Sequence, residues 1–154
     1  MPTSKVRKSK KKQIVSNYYN LNIKRMKIIE LVNSIESLNK LAETKLNAFV
    51  SFKLGKFLKD AGASIETYNK VRSEKVKEYG EVVLDAEGKE TDQYSFSIPG
   101  TKELTENGKK FVEEMKAIEE EELDIKIPEI NIKDLGSVEI EPKYLSILQW
   151  LIKE

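Results

Sequence analysis

The stretch EVVLDAEGKETDQYSFSIPG, residues 81–100, decides the architecture. Residues 81–85 (EVVLD) form a short apolar run, and Ala86, Glu87, Gly88 and Lys89 make a polar turn. In residues 93–98 (QYSFSI), Tyr94, Phe96 and Ile98 alternate with Ser95 and Ser97, the period of two expected of a half-buried strand. Gly88 supplies the positive φ that such a loop uses, and Pro99-Gly100 ends the second strand. The reading is a β-hairpin, and the segments that adjoin it on either side have the period of a helix.

Upstream, Ile28, Ile29, Leu31, Val32, Ile35, Leu38, Leu41 and Ala42 recur at steps of three and four, which predicts an amphipathic helix over residues 28–42. Asn20 and Asn22 are both candidate caps for its start. Leu46, Phe49, Val50, Leu54, Phe57 and Leu58 continue the helical spacing, and Ile65, Tyr68, Val71, Val76 and Tyr79 resume it. Gly62 and Ser64 lie between, which favours two nearly collinear helical pieces over one helix from about 46 to 79. Gly80 is expected to stop the second piece by taking the left-handed conformation.

Downstream, Thr101 or Thr105 can cap a helix running to about Glu122, with Phe111, Val112, Met115, Ile118 and Leu123 as its apolar face. Residues 123–127, 130–132 and 138–140 alternate as short strands, Pro128 favouring an edge or a bulge. Pro142 suits the first turn of a terminal helix carrying Tyr144, Leu145, Ile147, Leu148, Leu151 and Ile152. The predicted fold is α+β and helix-dominant: antiparallel helices joined by a β-hairpin, with C-terminal short strands and a terminal helix packed back on them.

Composition narrows the function. The 154 residues contain no cysteine and no histidine, which excludes disulfides, Cys/His zinc sites and any triad that needs imidazole. No phosphate-cradling glycine loop and no EF-hand loop is present. The expectation is a protein that is not an enzyme, with no cofactor and no metal. No apolar run is long enough to span a membrane.

The net charge of +1 hides a separation of signs. Residues 1–29 hold nine lysines and arginines and no acid, leaving eighteen bases against twenty-six acids, a net −8, on the rest. Residues 1–13 read as a disordered basic arm, because Val6, the one apolar residue of 4–13, cannot offset the entropy of ordering it, and residues 14–154 as a single α+β domain. Lys5, Arg7, Lys8, Lys10, Lys11, Lys12, Lys24 and Arg25 are therefore candidates for contact with nucleic acid or an acidic partner. The run Glu119–Glu122 reads as a solvated helix end, and as a docking surface for that arm, in cis or between subunits. Tyr144 and Trp150 are candidate interface anchors, and equally candidates to close the domain's own core.

The sequences LNKLA (38–42), VSFKLGK (50–56), YNKVR (68–72) and EYG (78–80), followed by the DAEG turn at 85–88, an acidic helix and a closing Leu-rich helix, form a characteristic order. Over about residues 26–152 this order resembles small uncharacterised proteins of tailed bacteriophages and prophages of Gram-positive bacteria. The basic extension 1–13 departs from that pattern. The resemblance implies a small viral accessory or virion-associated protein, in the bacterial host cytoplasm or the virion. The expected function is binding to a larger protein partner, as a virion component or as an inhibitor of a host defence or replication protein. The alternative is nucleic-acid binding through the basic arm, and self-association is compatible with either.

Overall fold

The computed structural model describes residues 25–154, in the order β1 (Met26–Lys27), α1 (Ile28–Glu43), α2 (Ala48–Tyr79), β2 (Glu81–Leu84), β3 (Glu90–Ser95), α3 (Glu106–Glu119), β4 (Glu122–Leu123), β5 (Ile130–Asn131), a 3-10 turn (Ile132–Leu135), α4 (Pro142–Ile147) and β6 (Ile152–Lys153). The fold is helix-dominant α+β, with antiparallel helices and a hairpin between α2 and α3, as the patterning predicts. Among the described residues the strands pair two by two: β1 with β4 and β2 with β3 antiparallel, β5 with β6 parallel.

The organising element is α2, whose 32 residues span about 48 Å. Its two halves have different partners. Val50, Leu54, Phe57 and Ala61 face the first half's core at steps of four, three and four, in one cluster with Leu31, Leu38 and Leu41 of α1. The second half receives α3: Tyr68 donates to Glu119 at 2.7 Å and Tyr79 donates to Glu114 at 2.6 Å. Thus α1 and α3 lie end to end along one long helix. They meet where Met26 faces Leu123 and Lys27 faces Glu122, and where the Ile28 N–H donates to the Glu121 carbonyl at 3.0 Å.

The expected break at Gly62 is absent, and α2 runs through it. A glycine inside a helix costs about 1 kcal/mol relative to alanine, less than burial of Ala61 and Tyr68 on either side returns. A Cβ at Gly62 would meet nothing within 4 Å. Gly62→Ala is therefore expected to raise stability by about 1 kcal/mol in urea denaturation. A loss of stability would mean that the helix needs its glycine there.

Gly80 does stop α2, but not in the left-handed conformation. Its φ is −81° and its ψ 150°. What Gly80 provides is room: a Cβ would lie 2.6 Å from the Val76 carbonyl oxygen and 2.9 Å from Cβ of Tyr94. Gly88 takes the expected positive φ, 78°, in a turn where the Asp85 carboxylate accepts from the N–H groups of Glu87 and Lys89. The second hairpin strand covers 90–95 rather than 93–98. Register sets this limit: Ser95 faces Glu81, so Phe96 already lies beyond the end of β2. Phe96 instead stacks on Phe111 of α3, with ring centroids 4.4 Å apart.

The ends of several elements also differ from what the spacing predicts. α1 begins at Ile28, with the Glu30 carboxylate accepting from the Lys27 N–H; Asn20 and Asn22 lie outside the described residues. Of the two threonines, Thr105 caps α3, its hydroxyl accepting from the Gly108 N–H at 2.9 Å, and the helix ends at Glu119 rather than Glu122. Residues 138–140 form no strand; Val138 and Ile140 instead pack against the core. The terminal helix ends at Ile147, although the apolar spacing continues to Ile152. The chain turns at Leu148 so that the Leu151 carbonyl accepts from the Ile130 N–H and Ile152 pairs with Ile130. Leu148 and Leu151 are fully buried by that turn.

Candidate interaction surfaces

Three groups of side chains lie outside this core in a way that contact chemistry can use. The first is at the start of α2. The Asn47 side chain caps the helix, accepting from the Val50 N–H at 2.9 Å, and donates to the Asp134 carbonyl at 3.0 Å. Val50 and Leu54 are thereby turned into the core, and the opposite side of the helix faces water. That side carries Phe49 at 62% exposure and Phe52 at 72%. Lys53 lies over the Phe49 ring, 4.3 Å from its centroid, and donates to the Glu129 carbonyl at 3.2 Å.

The second group is the hairpin end. β2 and β3 form a sheet of two strands, so among the described residues each strand keeps an open edge. Most of the hairpin's side chains are exposed, and Val82 and Leu84 stand out at 38% and 56%. Ile98 and Val112 are also exposed. Val112 belongs to the apolar face predicted for α3, but the face that packs is Phe111, Met115 and Ile118.

The third group joins the two ends of the charge distribution. Arg25, a candidate for acidic contact, pairs with Glu122 at 3.0 Å, with both side chains largely exposed. Arg25 lies outside the arm 1–13, so this pair is not the docking expected of the arm. Lys5, Arg7, Lys8, Lys10, Lys11, Lys12 and Lys24, and with them the arm 1–13, lie outside the described residues.

Tyr144 and Trp150 are engaged within the chain. Tyr144 is buried and donates to Glu36 at 3.1 Å; Trp150 is half-buried, donates to the Ser34 hydroxyl at 3.2 Å and packs on Phe57, centroids 5.6 Å apart. The groove beside Tyr144, of about 500 Å³, includes Glu43 and Glu141, which pair with Lys40 and Lys143. Among the described residues no three acidic side chains converge as a metal site, and no helix is long and apolar enough to cross a membrane.

A polar network ties α3 to the second half of α2. Burial, with the hydrogen bond to Glu119, pushes the Tyr68 phenol up to about 12. Tyr79 is likewise raised to about 12, here chiefly by its hydrogen bond to Glu114. Glu114 is lowered by Tyr79 and by Lys75, which it meets at 3.0 Å. A phenol whose folded value exceeds its unfolded value of 10.0 stabilises the fold fully below pH 10 and loses that contribution as pH rises through about 12. Resistance to urea is therefore expected to fall between pH 10 and 12, and Tyr68→Phe to remove one late phenol from an absorbance titration. A Tyr68→Phe titration identical to wild type would contradict the assignment.

No protein family, no curated protein and no solved structure matches this chain.

Proposed function

We propose that this protein works by contact, occupying a surface of a larger protein partner, and that the hairpin leads the encounter. The observation that carries this reading is the exposure of Val82 and Leu84 on a strand whose edge is unpaired among the described residues. An isolated two-stranded hairpin is marginal in water, and an open edge with apolar side chains is a template for another chain. Pairing at such an edge supplies main-chain hydrogen bonds, while alternate side chains supply specificity. In the bacteriophage setting that the resemblance implies, the partner is a virion component or a host defence or replication protein, met in the host cytoplasm or the virion. The absence of cysteine and histidine supports a role without turnover.

The test places a photo-cross-linking amino acid at Leu84 of the full chain in infected cells. One discrete adduct with another protein is expected, and Val82→Asp is expected to abolish it. No adduct, or the same adduct from a control position at Lys70 on α2, would refute the reading.

A further inference from the structure

The start of α2 carries an inference independent of the hairpin. At 3.6 residues per turn, Phe49, Phe52, Lys56 and Lys59 fall within roughly 80° of arc, opposite the core-facing Val50, Leu54, Phe57 and Ala61, along about 15 Å of helix. A solvent face is normally polar throughout; this one begins with two phenylalanines and continues with two lysines. From Thr44 to Lys59 the chain holds four lysines and no acid, the first acid being Asp60. Lys45, Lys56 and Lys59 form no ion pair with a described residue. The adjacent Glu129 carboxylate is taken by Lys153.

Two observations select the occupant. Lysine is depleted from protein–protein interfaces, whereas exposed aromatic rings beside uncompensated cations are what single-strand sites use. Side chains three residues apart on a helix have Cβ atoms about 5–6 Å apart, a spacing that neighbouring unpaired bases can match. We infer that the first three turns of α2 bind single-stranded nucleic acid, Phe49 and Phe52 stacking on two neighbouring bases while Lys56 and Lys59 meet phosphates. The site is separate from the basic arm. Duplexes, whose bases are already stacked, are poor ligands for it.

The probe is a fluorescein-labelled oligothymidylate about 16 nucleotides long, followed by anisotropy at low salt. The full chain is used with Lys5, Arg7, Lys8, Lys10, Lys11 and Lys12 all changed to Gln, so that the arm contributes no charge. This protein is expected to bind. Phe49→Ala with Phe52→Ala is expected to weaken binding about tenfold or more, with helicity unchanged because both rings are exposed. Phe52→Trp is expected to retain binding, which a merely structural role for the ring would not require. Lys56→Gln with Lys59→Gln is expected to lower the slope of log affinity against log salt by about 1.4. Loss of all binding on neutralising the arm, insensitivity to the double alanine change, or preference for a duplex would each overturn the inference. So would binding to anionic phospholipid vesicles, or to an acidic peptide, in place of the oligonucleotide.

Discussion

Replacing Leu148 with alanine is expected to lower stability by about 2–5 kcal/mol, several times what a surface substitution costs. Leu148 is fully buried, as are Leu31, Leu38 and Leu41 of α1 and Leu151 beside it. The turn at this position is fixed by two main-chain bonds, from the Leu148 N–H to the carbonyls of Tyr144 and Leu145. A truncated side chain therefore leaves a cavity that the surrounding backbone cannot readily collapse around. Urea denaturation followed by far-ultraviolet circular dichroism measures the loss. Trp150 lies against Phe57, so its fluorescence is expected to report the same transition. A loss well under 1 kcal/mol would mean that the C-terminal segment rests on the α1–α2 pair without sharing its core.

Gly108→Ala is expected to destabilise the protein by about 1–3 kcal/mol, against the usual sign of a glycine-to-alanine change in a helix. Gly108 sits in the first turn of α3 and is buried. A Cβ there would lie 2.3 Å from the Phe96 carbonyl oxygen and 3.1 Å from its Cβ. The oxygen belongs to the backbone and also accepts from the Thr105 N–H at 2.9 Å, so it has little room to move. Relief requires α3 to shift away from the hairpin, which disturbs the Phe96–Phe111 stack. Gly62→Ala is the internal control: the same atoms added to a helix, with the opposite sign because nothing stands in the way. Equal and favourable effects at the two positions would show that α3 does not approach Phe96 this closely.

Much of this fold was legible because its signals are local. The heptad-like steps of Leu31, Leu38 and Leu41, the Asp85–Gly88 turn and Pro142 at a helix start each act within a few residues. What was not legible depends on partners distant in sequence. The helix spacing from Tyr144 to Ile152 is sound by itself, yet pairing of Ile152 with Ile130 ends the helix early. The need for glycine at position 80 comes from the Val76 carbonyl and from Tyr94 across the hairpin, and not from its own φ. Phe49 fits the same helical spacing as Leu46 and Phe57, so spacing alone does not show that it faces outward. A wheel anchored on Val50, Leu54 and Ala61 would have placed Phe49 and Phe52 on the other side. Of the candidate site residues, Arg25 pairs with Glu122 of its own chain, and Tyr144 and Trp150 are used by the fold's own hydrogen bonds. The hairpin's exposure had no sequence signal, since Val82 and Leu84 look like any strand's buried face.

If the hairpin side chains serve contact and not the fold, the folded body must tolerate their loss. The most direct test is the full chain with Val82→Asp and Leu84→Asp together, compared with wild type in equilibrium urea denaturation. Substitutions at exposed strand positions span about 1 kcal/mol each, so a small shift with unfolding still cooperative is the predicted result. A fall of several kcal/mol, or the loss of cooperative unfolding, would show that Val82 and Leu84 hold the fold together, contradicting the claim.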